Sequence, residues 1–408
     1  AVHFRSDQVP GGGYVPIIPT GLNEHDCIQG GNEKLLRTLR DTIAQAQKRK
    51  RPPDVVFVLT SDATSIVGDD IANAARIVEE ETGVNVIALD TPGFLGGTAK
   101  GVDAALTALL RRFAANEESS EQKNGVNIIA PYLMGSKNWI NDNDEIVRLL
   151  QGAGIAVNTV LTRNFRLDEL NKFAQAKYNL NLSGENLSEF EELSSQFGVS
   201  SYDKNLPLPI GAANTEEWLL SIAKDIGQEE KAKEILVADQ KFVQRQLRFN
   251  YNFSWMSTLM YQKRCGLLAH AKFGVSLARC LLWDFGIVPR VVGLIAESDR
   301  AVNQAMELLE AIKGQADIKI LINPTYFEYG NTLKEAKVDF SIGAIHDKAL
   351  SLGHNIPHLS LCGYHFFNQY NFIPYPNMGI RGVLGLLTEL SRVMEETFYI
   401  KDTMKITD

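Results

Sequence analysis

Strand-like apolar runs alternate with stretches of helical period along most of the chain. The runs are Val55 to Thr60, Val84 to Asp90, Val126 to Leu133, Ile155 to Leu161, Cys265 to Ala269, Val288 to Ile295, Ile318 to Asn323 and Phe340 to Ala344. Such alternation predicts βαβ units and mainly parallel sheets, hence an α/β fold. Between the runs, Asn32 is positioned to cap a helix over Glu33 to Arg49, which must stop before Pro52-Pro53. Its Lys48-Arg49-Lys50-Arg51 end reads as a solvated last turn that complements the helix dipole. Further helices are predicted over Glu145 to Gln151, around Glu189 to Gln196, over Gln228 to Gln246, and over Gly274 to Trp283 with closure at Gly286. Thr215-Glu216-Glu217-Trp218 is read as another helix opening, the hydroxyl capping and the acids occupying the first turn.

A length of 408 residues with 45% apolar content exceeds what one core usually accommodates. The chain is divided here into residues 1–122, 123–255 with a helical linker, and 256–408. Lys plus Arg at 41 against Asp plus Glu at 49 gives a net charge of −8, which speaks against a nucleic-acid partner. Cys27, Cys265, Cys280 and Cys362 are scattered without C-x-x-C spacing, as expected in a reducing cytoplasm. No apolar run reaches the roughly 18 residues of a membrane span and no signal peptide opens the chain, so a soluble protein without a membrane partner is expected.

The segment Val55 to Ile71 runs from a buried strand through a polar turn into a helix, which puts Asp62 at a strand's carboxyl end, where open α/β sheets place ligands. Together with Cys27-Ile28-Gln29-Gly30-Gly31 before it and Thr91-Pro92-Gly93-Phe94 after it, this segment resembles the first domain of the nitrogenase component 1 superfamily. Further phrases follow in family order: His3-Phe4-Arg5, Val67-Gly68-Asp69-Asp70-Ile71, Leu208-Pro209-Ile210-Gly211 with Thr215-Glu216, Lys263-Arg264, Asp339-Phe340-Ser341-Ile342-Gly343 and Gly379-Ile380-Arg381-Gly382. The Leu-Pro-Ile-Gly and Lys-Arg phrases are more similar to the β-type chain than to the α-type chain.

The resemblance implies three Rossmann-like domains with mainly parallel sheets around a central cleft. It also implies a homologous α-type subunit, an α2β2 assembly and an ATP-dependent iron-sulfur reductase protein as partners. The activity implied is that of a β-type subunit of a nitrogenase-like two-component ATP-dependent reductase, an oxidoreductase subunit bordering an iron-sulfur cluster shared with its partner. The alternatives are a scaffold on which a complex iron-sulfur cofactor is assembled, and a small-molecule binding protein that kept only the fold. ATP is not expected on this chain, because there is no Walker A sequence and Gly93, Gly96 and Gly97 do not form G-x-G-x-x-G. The family phrase at Val2-His3-Phe4-Arg5 is normally preceded by a Cys-bearing segment, so residues ahead of Ala1 are expected in the natural protein.

In the family the position of Asp62 is commonly a cluster-bound cysteine, and a carboxylate offers a hard oxygen instead. Asp62 is read as a cluster ligand, a proton donor at a subunit boundary, or a helix N-cap. Val15 to Gly21 holds no thiol where β-type chains often have one, so a complete nitrogenase-style relay is not expected. Cys27, beside His25 and Asp26, is either a metal ligand or a packed thiol, whereas Cys265 and Cys280 are expected in the core. Cys362 falls near the cofactor histidine of α-type chains, in a group with His365, His346, His354 and His358. An extended run sends Cys362 and His365 to opposite faces, and a turn at Gly363 brings them together. The candidates are therefore Asp62, Cys362 and His365 for cofactor binding and Asp62 and Cys27 for metal, with no catalytic residue assigned. A second cofactor thiolate is replaced around Leu182-Ser183-Gly184, which argues against an intact molybdenum-type cofactor. The aromatic residues Tyr364, Phe366, Phe367, Tyr370, Phe372 and Tyr375 are read as a partner contact or the lining of an apolar pocket.

Overall fold

Every strand pairing in the three sheets of the computed structural model is parallel, as the alternation of apolar runs and helices requires. The structure describes residues 17–114, 124–163, 165–248, 259–363 and 375–398. The chain forms two compact units: Ala1–Ala114 with Asn186–Gln196, and Ala115–Glu185 with Phe197–Asp408.

In the first unit β1 (Val55–Leu59) pairs with β2 (Asn85–Leu89) in register from Val55 opposite Asn85 to Leu59 opposite Leu89. Leu39 and Ile43 of the Asn32–Lys48 helix and Ile71, Ala75 and Val78 of the Ile71–Thr82 helix pack with Val58 and Val86 into its core. Gly31, not Asn32, holds the N-cap position of the first of these helices, and Cys27, Ile28 and Gln29 belong to a short helix, Glu24–Gln29, capped by Asn23. The helix Ser188–Gln196 joins this unit from far along the chain. The buried carboxylate of Asp103 accepts hydrogen bonds from the Glu189 and Phe190 amides at 3.2 and 2.8 Å, so the N-terminus of that helix is satisfied by a side chain from another helix. Phe190 is buried beside it.

In the second unit β3 (Gly125–Ile129), β4 (Ala156–Leu161), β5 (Ala176–Asn181) and β6 (Ser200–Ser201) form a sheet of order β4-β3-β5-β6. The strands β7 (Arg264–His270), β8 (Val288–Ile295), β9 (Lys319–Ile322), β10 (Phe340–Gly343) and β11 (His358–Ser360) form another, of order β11-β10-β7-β8-β9. Cys265 and Cys280 lie in its core, as expected. Several boundaries differ from the sequence reading. The run from Val126 ends as a strand at Ile129 and continues as a 3-10 turn over Pro131–Met134, after Ala130 takes φ 44. The next helix starts at Trp139 rather than Glu145, because Asp142 and Asn143 are buried rather than solvated. The helix expected to open at Thr215 starts at Ala212, and the Thr215 hydroxyl donates to the Gly211 carbonyl within the first turn.

Two buried carboxylates fasten the Trp139–Gly152 helix to the segment ahead of the last helix, Gly382–Phe398. Asp142 Oδ1 accepts the amides of Asn377 at 2.6 Å and Met378 at 3.2 Å, and its Oδ2 pairs with the Ser136 hydroxyl. Asp239 lies fully buried on Glu229–Arg248, where it takes Arg148 on one oxygen and Arg381 on the other, the latter at 2.8 Å. Arg148 also meets Glu145 at 2.6 Å.

Burial pushes the Asp142 carboxyl up from 3.8 to about 7, against the pull of its three hydrogen bonds. The folded state thus binds this proton more tightly than the unfolded chain. The associated stability is complete below pH 4 and is lost as pH rises towards about 7. Urea melts across that range should show the wild type losing on the order of 2 kcal/mol relative to Asp142→Asn, a magnitude discounted for local relaxation. Parallel pH profiles for the two proteins would contradict the assignment.

Candidate functional site

The sequence of β1 delivers its polar turn to the carboxyl end of the first sheet. There Thr60 Oγ1 donates to Asp90 Oδ1 at 2.8 Å and accepts the Thr91 amide at 3.1 Å, tying together the loops that leave β1 and β2. Ser61, not Asp62, caps the following helix Asp62–Val67: its hydroxyl accepts the Thr64 amide, while the Thr64 hydroxyl accepts the Ser61 amide. Asp62 is the first helical residue and is exposed, and the capping bonds run through Ser61 and Thr64 rather than through its carboxylate. It stands over the loop after β2, since a Cβ on Gly93 would lie 3.3 Å from Asp62 Oδ1.

The neighbouring Gly68-Asp69-Asp70 turn has structural work. Gly68 closes the Asp62 helix in the left-handed region, and Asp70 caps the next helix by accepting the Asn73 amide at 2.9 Å. Asp69 Oδ1 accepts the Gly31 amide at 2.7 Å, and a Cβ on Gly31 would come within 2.7 Å of Asp69 Oδ2, so a larger residue there would have to displace that carboxylate.

Around Asp62 the first unit exposes apolar side chains. Leu59 ends β1, Ile66 lies on the Asp62 helix, Phe94 and Leu95 follow Gly93, and Ile28 comes from the Glu24–Gln29 helix that packs beside the Asp62 helix. They are 65%, 76%, 58%, 60% and 85% exposed. An apolar face of this kind, grouped at one end of a sheet, is characteristic of a surface that another chain covers. Cys27, on the same short helix as Ile28, is exposed and free rather than packed.

In the second unit Cys362 is buried just beyond β11. It pairs with Ser136 in an isolated antiparallel bridge, and its amide donates to the Gly343 carbonyl at the end of β10. Burial and the nearby Asp347 carboxylate push its thiol well above the ordinary range, which holds it protonated. His365 and the aromatic residues from Tyr364 to Phe372 lie outside the described residues. His358 is a structural member of β11: its ring meets Ser341 Oγ at 2.9 Å through Nδ1 and the Ala344 carbonyl at 2.9 Å through Nε2.

Among the described residues, no group of three or more His, Cys, Asp or Glu side chains is placed to hold a metal ion. Asp62 and Cys27 belong to the first unit and Cys362 to the second. The described donors thus form no such group within either unit. The sequence reading passed over the end of β7, where His270 is the last strand residue and Lys272 lies in the first turn of the helix Ala271–Phe285. Gly135 packs against the His270 ring there, and burial lowers the affinity of that imidazole for a proton. The signal was available as polar residues interrupting a long apolar strand-helix run.

No helix of the described residues is long and apolar enough to cross a membrane. The family model for nitrogenase component 1 type oxidoreductases matches residues 1–395. The nitrogenase iron-molybdenum cofactor biosynthesis protein NifE of Clostridium pasteurianum is 24% identical over 340 residues, covering 83% of this chain and 70% of that protein. The nitrogenase molybdenum-iron protein beta chain of Methanococcus maripaludis is 22% identical over 436 residues, covering 100% and 88%. The solved structure of nitrogenase Cp1 at pH 5 matches with a TM-score of 0.70 at 18% identity, over 93% of this chain and 77% of that one, a likeness of fold.

Proposed function

Because the chain belongs to the nitrogenase component 1 type oxidoreductase family, we propose that it is the β-type subunit of a two-component, ATP-dependent reductase, with an iron-sulfur cluster bordered by Asp62 at the boundary with a homologous α-type subunit. The observation that carries this reading is the exposed apolar face around an uncommitted carboxylate at the carboxyl end of β1. Such a face is costly in an isolated chain and useful in an interface. An incomplete donor set on one side of that interface requires the partner to supply the remaining ligands. Asp62 contributes oxygen where thiolate is commoner, and Cys27 is a second exposed donor in the same unit. In this reading the protein works in the cytoplasm within an α2β2 assembly, served by an ATP-hydrolysing iron-sulfur reductase protein. The proposed domain division is 1–122, 123–255 and 256–408, supported by the distribution of the sheets among these spans, although the Ser188–Gln196 helix of the middle span packs with the first unit.

A second reading, a scaffold on which a complex iron-sulfur cofactor is assembled and then released, is favoured by the similarity to the cofactor biosynthesis protein NifE. Anaerobic copurification with the homologous chain, followed by iron and sulfide analysis, tests the shared cluster. Multiple turnovers with the reductase protein and MgATP support the reductase; release of the cluster to an acceptor without turnover supports the scaffold. Asp62→Ala should lower the iron content of the complex at least about twofold without changing its melting temperature, because the residue is exposed. Unchanged iron content eliminates Asp62 as a ligand.

A further inference from the structure

The helix Glu24–Gln29 has six residues and buries none of them. A segment that short gains too little from its own backbone to stay helical in water. Its order comes instead from polar contacts at its two ends. At the amino end Asn23 and Asp26 form a capping box: the Asp26 amide donates to Asn23 Oδ1 at 3.0 Å and the Asn23 amide to Asp26 Oδ2 at 2.9 Å. Lys34, in the first turn of the Asn32–Lys48 helix, donates to Asp26 Oδ2 at 2.7 Å and to the Gly21 carbonyl at 2.6 Å. The two side chains of that ion pair are 22% and 20% exposed, so water screens it less than an open surface pair.

At the carboxyl end the chain turns at Gly30, φ 95, and the Gly31 amide donates to Asp69. Asp69 lies 38 residues further along, in the turn behind the Asp62–Val67 helix, so this one bond ties two neighbouring helices together. The half-buried carboxylate lies over both glycines: a Cβ on Gly30 would stand 3.4 Å from its Oδ1. A Cβ on Gly31 would also come within 2.8 Å of Leu22 Cδ2, so the Leu22 side chain packs over the same turn. The helix held in this way presents Ile28, at 85% the most exposed large apolar side chain among the described residues.

We infer that Asp69 and Lys34 are positioning residues for subunit pairing: they hold the Glu24–Gln29 helix, and with it Ile28, in the orientation that the homologous subunit reads. The inference rests on the pairing face proposed above and adds what sets its shape. A side chain placed by contacts inside the free chain needs no ordering on association. A detached helix does, and affinity then falls in proportion to the fraction of chains that hold it in place. Neither Asp69 nor Lys34 need touch the partner to act in this way.

Hydrogen exchange on the full chain alone, together with pairing to the homologous subunit that copurifies with it, tests the inference. Asp69→Ala should speed exchange of the Glu24–Gly31 amides about tenfold, leave those of Val55–Leu59 within about twofold, and weaken pairing about tenfold. Asp69→Asn keeps an acceptor oxygen and should stay within about threefold of wild type in both measurements. Lys34→Met, which releases the other end and leaves Asp69 intact, should reproduce the behaviour of the alanine variant. Wild-type exchange in Asp69→Ala and Lys34→Met, or wild-type pairing once exchange has risen, overturns the inference. Equal loss in Asp69→Ala and Asp69→Asn also overturns it, because the acceptor survives in the second. Ile66→Asp separates the two claims: if it abolishes pairing while Asp69→Ala and Lys34→Met leave pairing unchanged, the face stands and the positioning role falls. Full pairing by Ile66→Asp removes the face itself.

Discussion

Replacing Asp239 by alanine should destabilise the second unit by about 3–5 kcal/mol, the usual cost of breaking a buried ion pair by removing one partner. Asp239 has no solvent exposure and takes Arg148 and Arg381 on its two oxygens, so its loss removes a partner from two guanidinium groups at once. Glu145 continues to neutralise Arg148, whereas among the described residues Arg381 keeps only its position over the Phe242 ring, 4.8 Å from the centroid. Asp239→Asn, which retains an acceptor but not the charge, should cost less. Chemical denaturation of the three proteins measures the difference; a loss below 1 kcal/mol in the alanine variant would show that the arginines find other partners.

In the proposed assembly, a charge placed on the apolar face of the first unit should abolish subunit pairing while leaving the chain folded. Ile66→Asp is the sharpest form of this test, because Ile66 is 76% exposed and lies one helical turn beyond Asp62. An exposed side chain contributes little to the core, so the melting temperature should hold within a few degrees. In an interface the new carboxylate would be desolvated without a partner, a penalty that corresponds to at least about a hundredfold loss of affinity. Copurification with the homologous subunit reads the outcome. Retention of the complex at wild-type yield would remove this face from consideration as the subunit boundary.

The parts of the molecule legible in the sequence are those where local pattern and global fold agree. Val55 to Leu59 is uniformly apolar and ends in a polar turn, so the strand and the place of Asp62 at its carboxyl end could both be read. The identity of the cap could not: Ser61, Asp62 and Thr64 are all competent, and the backbone's entry angle selects Ser61. The strand β5 escaped because Ala176–Asn181 carries two asparagines. One of them, Asn179, accepts from the buried Asn127 amide of β3 at 2.9 Å, a pairing between strands that no single-strand pattern reveals. Thr215 looked like a cap because its hydroxyl precedes two acids, whereas that hydroxyl is spent on a carbonyl four residues back. The same limit applies to the sites. Cys265 and Cys280 are assigned to the core by their apolar neighbours, whereas the burial of Asp142 and Asp239 comes from partners far along the chain that no local pattern reveals.

The capping of Ser188–Gln196 by Asp103 has a consequence for how the protein is made. A ribosome releases residues 1–114 well before the helix that completes their fold, with most of a foreign sheet emerging in between. Until that helix arrives, Asp103 has no amides to accept from and the bed for Phe190 is uncovered. Maturation of the amino-terminal portion is therefore deferred to a late, sequence-distant contact, and in that interval the nascent segment lacks one of its packing elements.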